Sequence, residues 1–478
     1  MVSKKPTRSM LGLALPAALT GLLLTQAWPA NVAPEAAPQA QVLVASNGEI
    51  SPPDTPQDVS PAVAPLPASE PAEVGAVELP SPTPAPVLTS TATPVPMPPA
   101  PTAVPSQEPD PTRTTNDAID LALVGAIRTG VTPGAVVLVR RGDVTLKREA
   151  YGHSYQYSRP GVEADRPVIA RRDTIYDLAS VSKLYTSVYV MQLVERGLVD
   201  LDAPVARYLP AFGQAGKQAV TVRQLMTHTS GLPDFLPLYR MKISPAEALD
   251  RIYQTEPQTP PGHTYKYSDL GLIVLGELVQ RQSGLTLDQY ARVNVLEPLG
   301  LQETYYAPPA NLRSRIAATQ FDTSVNRGLI WGEVHDGNAW LFGGVAGHAG
   351  VFATAADLAR FGQMIANGGQ IDGRRVLRSE SVAELLRNQS AGSGRDAHGL
   401  VWELNESWYM GQLASGKAVG HTGYTGTSLV VVPDQQLVVV LLTNRVHPSE
   451  TGPATNGIRR AVADGATRLV PAQGQRTR

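Results

Sequence analysis

Asp177-Leu178-Ala179-Ser180-Val181-Ser182-Lys183 sets a hydroxyl and an amine three residues apart, where the downstream spacing predicts a helix to begin. Residues i and i+3 share a helix face, so Ser180 and Lys183 come within hydrogen-bond reach. A lysine that has lost its proton can take the serine proton and make the oxygen a nucleophile. To do so near neutral pH it must be held at least partly neutral, by burial or by a nearby cation. Leu178, Ala179, Leu184 and Tyr185 argue for burial. Of the chain's 8 lysines, only Lys183 has serine three positions before it. So short a pattern also arises by chance, and serine alone is a common N-cap. The weight therefore falls on what else the chain supplies.

The bulk numbers set the frame. The chain has 478 residues and a net charge of −2, with neither sign dominant, which argues against a nucleic-acid partner. It has no cysteine, so disulfides, thiolate metal sites and a cysteine nucleophile are excluded. Residues 1–27 read as an export signal. Lys4, Lys5 and Arg8 precede the apolar run Met10 to Leu24, and Thr25-Gln26-Ala27 offers a cleavage site. An uncleaved anchor is the other reading; the short run with Pro16 disfavours it. Residues 28–112 are rich in Pro, Ala, Ser and Thr and read as a disordered spacer off an envelope surface. The folded domain is expected over 113–470, with a disordered tail at 471–478. The expected location is the periplasm, the cell envelope or outside the cell.

Asn116 or Asp117 caps an expected helix through Arg128. Gly134 to Arg140 reads as an apolar strand, turned at Arg141-Gly142-Asp143 and paired back by Val144 to Tyr151. Leu184, Val188, Met191 and Val194 recur at helical spacing, with Gly197 as a stop. Thr221 and Gln224 make a capping box for a short helix. Further helices are expected at Leu270 to Gln282, Ala355 to Asn367 and Asn456 to Leu469. Thr427 to Val432 and Leu437 to Leu442 read as two strands of a hairpin about Pro433-Asp434-Gln435-Gln436. Strand hairpins at both ends of the domain enclose a helix-rich middle. The fold class is therefore α+β: an antiparallel sheet flanked by helices, with an inserted all-helical subdomain.

Other segments can complete an acyl-transfer site. Tyr265-Lys266-Tyr267-Ser268-Asp269 precedes a helix; the Tyr267 phenol can move protons beside Lys183, and Asp269 is a natural N-cap. Gly420-His421-Thr422-Gly423-Tyr424-Thr425-Gly426 lies before the first C-terminal strand. Its glycines allow close backbone approach. The Tyr424 N–H can join that of Ser180 in binding an oxyanion, and His421 and Thr422 can hold a substrate carboxylate or hydroxyl. His335, Asp336 and His348 lie in two more glycine-containing segments. They are candidate substrate ligands, as are Gly423 and Asp269; a metal is not expected, because no H-x-x-x-H spacing exists and the serine site needs none. His228 reads as a structural histidine at a helix end. No cofactor is expected.

Together and in this order, Asp177-Leu-Ala-Ser-Val-Ser-Lys183, Leu225-Met-Thr-His-Thr-Ser-Gly-Leu-Pro233, Tyr267-Ser268-Asp269 and His421-Thr422-Gly423 resemble the serine β-lactamase and penicillin-binding-protein superfamily, in its class C-like esterase and peptidase branch. The resemblance spans about Ala118 to Ala463. It implies that Ser180 is acylated, that Lys183 and Tyr267 share the proton work, that His421 stands where the family has lysine or histidine, and that the N–H groups of Ser180 and Tyr424 form the oxyanion hole. It also implies a β-lactamase/transpeptidase-like sandwich. One departure stands out: the second motif usually ends in asparagine and here ends in Asp269. A carboxylate raises the pKa of Lys183, the wrong direction for a base. Either Asp269 points away as a cap, or Tyr267 carries more of the base role. A narrower resemblance, through Val334-His-Asp-Gly-Asn-Ala339, Gly344-Val-Ala-Gly-His-Ala-Gly350 and Gly420 to Thr427, is to exo-acting N-acetylmuramyl-L-alanine amidases of cell-wall turnover. There Gly337 replaces a common glutamate.

The expected activity is therefore that of an exported serine hydrolase that forms an acyl-enzyme at Ser180 and cleaves an amide or ester in peptidoglycan-derived material. The alternatives are a small-ester esterase with weak β-lactamase activity and a catalytically idle envelope binding protein. The expected partner is a small molecule or cell-wall fragment, with envelope association through the N-terminal segment.

Overall fold

The computed structural model describes residues 117–390 and 397–470; the export segment, the spacer and the tail lie outside the described residues. The first helix starts where its cap requires. The Asp117 carboxylate accepts the backbone N–H groups of Ile119 and Asp120 at 2.9 and 3.0 Å, and α1 runs over Ala118–Arg128. Then come β1 (Gly134–Arg141), β2 (Val144–Arg159) and β3 (Val162–Ile169). From the C-terminal part come β4 (Glu403–Leu404), β5 (Val419–Thr422), β6 (Ser428–Val432) and β7 (Leu437–Thr443). They make one antiparallel sheet in the order β4-β5-β6-β7-β1-β2-β3. The two ends of the domain meet at β1 and β7, where Ala135 opposes Thr443 and Arg141 opposes Leu437.

Strand alternation divides the core. Ala135, Val137 and Val139 of β1, with Leu437, Val439 and Leu441 of β7, pack under Ile119 and Leu123 of α1 and Val462 and Ala466 of α6 (Asn456–Leu469). Val136, Leu138, Val438, Val440 and Leu442 face the opposite layer. That layer holds α2 (Ser182–Glu195) and α5 (Ala355–Ala366), joined where Tyr185 stacks on Phe361 at 4.0 Å. Every residue of α2 from Ser182 to Leu193 is buried. Its apolar spacing is thus one face of a helix that is covered all round. The short α3 (Val222–Met226) carries the expected capping box, and α4 (Asp269–Ser283) ends at Gly284, whose φ is +71°.

The insertion is mostly helical, but it also carries a three-stranded sheet of Tyr176–Asp177, Val351–Ala353 and Thr304–Tyr306. Strands this short leave no periodicity to read. The half-exposed second part of β2 and all of β3 also went unexpected, because their pairing is irregular and lacks an apolar run.

Two threonines join the sheet to the start of α2. Thr425 Oγ1 donates to the Asp177 carbonyl at 2.8 Å, and Thr427 Oγ1 donates to the Leu178 carbonyl at 2.9 Å. The approach is so close that a Cβ on Gly423 would lie 2.1 Å from Thr427 Oγ1 and 2.4 Å from the Leu178 carbonyl. Thr427→Val keeps the shape but deletes one buried donor. It is expected to lower the unfolding free energy by about 1–3 kcal/mol, read by urea denaturation.

Candidate active site

The turn that carries Ser180 is held in strain. Asp177 is buried; its Oδ1 accepts the Ala179 N–H at 2.8 Å and its Oδ2 accepts the His335 N–H at 2.7 Å. Burial pushes its pKa up to about 6, against the pull of those two donors. Ala179 lies at φ = +47°, a left-handed conformation that costs a non-glycine residue about 1–3 kcal/mol. Ser180 then sits in the 3-10 turn Ala179–Val181, which runs directly into α2. The one sequence signal for this turn is an aspartate two residues before Ala179, the spacing of an Asx turn.

Lys183 is completely buried and lies beside Ser180, its Nζ 2.7 Å from Oγ. It also donates to the His348 carbonyl at 3.0 Å and forms an ion pair with Asp269 Oδ1 at 2.8 Å. Burial depresses its pKa, but the Asp269 carboxylate, with the Tyr267 oxygen beside it, outweighs burial and the net shift is upward. The expectation of a partly neutral amine is therefore corrected: burial is present, and the resting group is an ammonium. The capping role considered for Asp269 is corrected too. Ser268 is the N-cap of α4; its Oγ accepts the Gly271 N–H at 3.3 Å and donates to the Pro233 carbonyl at 2.6 Å. With the cap taken, the Asp269 carboxylate turns to Lys183.

Tyr267 completes the cluster, its hydroxyl donating to Ser180 Oγ at 2.9 Å. Burial pushes this phenol up to about 12, with Lys183 pulling the other way. His228 stacks on its ring at 4.7 Å and accepts the Ser268 N–H on Nδ1 at 3.0 Å. Burial holds the His228 pKa well below the ordinary value. A neutral, buried histidine that orients Tyr267 matches the structural reading of that residue.

His421 faces the cluster from β5, its ring 6.1 Å from that of Tyr267. Its Nδ1 lies 2.7 Å from the Thr422 carbonyl, and a carbonyl only accepts, so Nδ1 carries the hydrogen. Burial, then the charge of Lys183, pushes its pKa down to about 3. The neutral ring leaves Nε2 as a buried acceptor without a partner among the described residues. This corrects the carboxylate reading of His421: the ring suits a hydroxyl or N–H, not an anion. The backbone N–H groups of Ser180 and Tyr424 enter no backbone hydrogen bond among the described residues, as an oxyanion hole requires.

Two cavities meet at Ser180, Tyr267 and Tyr424. One, of about 440 Å³, is walled by His421, Thr422, Gly423, Glu403, Arg445 and Arg459. The other, of about 530 Å³, is walled by Asp269, Arg327, His335, Asp336 and His348 among others. His335, Asp336 and His348 thus reach the site. His335 Nε2 lies 2.8 Å from Gln320 Oε1, and its ring stacks on Tyr424 at 5.7 Å. Asp336 caps the helix Gly337–Leu341 by accepting the Ala339 N–H, and it pairs with His348 Nε2 at 2.8 Å. Burial would raise the Asp336 pKa, but His348 holds it below the ordinary range. A Cβ on Gly337 would lie 2.6 Å from the Tyr239 ring, so that ring fills the space a larger residue would need. Among the described residues no group of three or more His, Cys, Asp or Glu is arranged to hold a metal ion.

A serine hydroxyl, a buried ammonium, a phenol and two free N–H groups at one cavity junction suit acyl transfer. Residues 122–464 match the family model described as Beta-lactamase. The chain belongs to the β-lactamase family. A protein of Salmonella agona (strain SL483), provisionally named a D-alanyl-D-alanine carboxypeptidase, is 31% identical over 357 residues, 68% of this chain and 81% of that one. A penicillin-binding-protein homologue from Caulobacter crescentus has a similar fold (TM-score 0.59, 22% identity, 74% of this chain and 97% of that one). So has a class C β-lactamase from Rhodobacter sphaeroides (TM-score 0.58, 21% identity, 74% and 99%). This β-lactamase-family chain is a serine hydrolase with the sandwich fold expected from its motifs.

Lys183→Ala in this hydrolase should slow acylation by 4-nitrophenyl butyrate at least about a hundredfold, read as the pre-steady-state burst. It also strands the Asp269 carboxylate, so the unfolding free energy should fall by about 3–5 kcal/mol in urea. An unchanged burst would move the proton work to Tyr267 or His421.

Proposed function

We propose that the protein is an exported serine hydrolase that forms an acyl-enzyme at Ser180 and cleaves an amide in peptidoglycan-derived material, as a muramyl-L-alanine amidase does. The observation that carries the acyl-enzyme reading is the meeting of two donors at one atom: Lys183 and Tyr267 both donate to Ser180 Oγ, at 2.7 and 2.9 Å. An idle binding protein has no need of that cluster. Oγ attacks the carbonyl carbon, the N–H groups of Ser180 and Tyr424 hold the oxyanion, and Tyr267 stands close enough to protonate the leaving nitrogen. Water then releases the acyl group.

The choice of substrate is supported by the walls. Asp336, Arg327 and Glu450 on one side, and Glu403, Arg445 and Arg459 on the other, fit a polar substrate rich in hydrogen-bonding groups better than a fatty ester. The carboxypeptidase name of the Salmonella protein points to the same wall material. Neutral His421 supplies no cation for a substrate carboxylate, so in that cavity only Arg445 and Arg459 could hold one. Residues 1–27 support export and residues 28–112 support a spacer; small-ester esterase activity remains the second reading.

Exposure to a fluorophosphonate should add one adduct to the intact mass, and Ser180→Ala should take none. A labelled, active mutant would sink the assignment of the nucleophile. Incubation with a muramyl tripeptide, a chromogenic cephalosporin and 4-nitrophenyl butyrate ranks the substrates. Release of free N-acetylmuramic acid is expected, and its absence removes the amidase reading.

A further inference from the structure

The resting site offers no base. Lys183 Nζ faces three oxygens: Ser180 Oγ at 2.7 Å, Asp269 Oδ1 at 2.8 Å and the His348 carbonyl at 3.0 Å. An ammonium has no lone pair; it donates to Ser180 Oγ and the His348 carbonyl, and Asp269 Oδ1 lies in ion-pair contact without a hydrogen bond. Ser180 Oγ already accepts from Lys183 and from Tyr267, which occupies both of its lone pairs. Neither neighbour in this arrangement can take the serine proton.

One rearrangement inside the cluster supplies the missing lone pair. Of the three oxygens around Nζ, only Asp269 offers a carboxylate; a peptide carbonyl and an alcohol are far weaker bases. Asp269 is free to do this because Ser268 caps α4 in its place. Its carboxylate is 19% exposed and lines the same cavity as Ser180. The exchange runs against the pull that keeps Lys183 charged at rest; burial offsets part of that cost, because moving one proton from Nζ to the carboxylate cancels two charges in a desolvated place.

We propose that Asp269 is the proton acceptor that turns Lys183 from an ammonium into a base. It rests on the reading of Ser180 as the nucleophile and acts through Lys183, not on the substrate. One Nζ proton turns to Asp269 and crosses the 2.8 Å contact to the carboxylate, and the amine turns its new lone pair to Ser180. The Oγ proton passes to Nζ as the Oγ–carbon bond forms and the carbonyl electron pair moves to oxygen. On collapse the carbon–nitrogen bond breaks and the leaving nitrogen takes the Tyr267 proton. Tyr267 is refilled from Lys183, and Lys183 from Asp269. The cycle carries one proton from serine to the leaving group and returns the carboxylate, the ammonium and the phenol to rest. The asparagine usual at this position in the resembled family has no carboxylate to hold a proton.

Other titratable groups face the pair. Tyr267, His228, His421, Asp336 and Glu403 all couple to the Lys183 charge. Glu403, pushed up to about 7 by burial, titrates in the neutral range within the adjoining cavity. A limb near pH 7 in a rate profile can thus belong to Glu403, and Glu403→Gln identifies it.

The test is the acylation burst of the full-length protein with 4-nitrophenyl butyrate from pH 4 to 10, and in mixtures of H2O and D2O. Asp269→Asn should slow acylation at least about a hundredfold. It should also turn a bowed proton inventory, with two protons in flight, into a straight one. Asp269→Glu keeps a carboxylate and should keep the bowed inventory even if slower; it decides the matter should Asp269→Asn fail to fold. An Asp269→Asn rate within threefold of wild type, a faster rate, or a Glu variant with a straight inventory overturns the proposal. The Ser180→Ala labelling result is separate, so failure of the nucleophile assignment is seen apart from failure of this step.

Discussion

A positive charge sealed inside protein must find its own solvation, and at Lys183 three oxygens supply it. They come from distant parts of the chain: Ser180 one turn away, Asp269 at the start of α4, and the backbone of His348 in a glycine-rich loop. Each must arrive with its polar atom inward, so the placement of α4 and of the 343–350 loop is bound to the solvation of one amine. The loop is anchored in turn through the His348–Asp336 pair, and Asp336 caps the helix beside it.

The nucleophile's turn depends on the sheet. A left-handed alanine persists only where its surroundings hold it, and here the Asp177 carboxylate, Thr425 and Thr427 do so. Those threonines lead into β6, which pairs with β7, which pairs with β1 at the other end of the domain. The antiparallel sheet therefore does more than enclose a core. Its register sets the distance between Ser180 and the backbone of Tyr424, the two halves of the candidate oxyanion hole.

Much of this was legible in the chain. The capping box at Thr221 and Gln224, the stop at Gly284 and the hairpin about Pro433 to Gln436 are local rules, and the fold obeys them. Strands of two or three residues were not legible, because their pairing partners lie far away in sequence. Nor was the choice of cap at α4. Ser268 and Asp269 are both good caps by composition, and only the position of Lys183 frees the aspartate for another task.

The sequence by itself determined which groups would meet: an ordered set of motifs carries a serine, a lysine, a tyrosine, a histidine and a glycine turn, and local spacing dictates the helices and strands that present them. Tertiary structure alone decided their charges. Lys183 is an ammonium because a carboxylate lies 2.8 Å away, and His421 is neutral because it is buried near that ammonium. Protonation answers to distance and desolvation through space, and neither quantity is written in the order of residues along a chain.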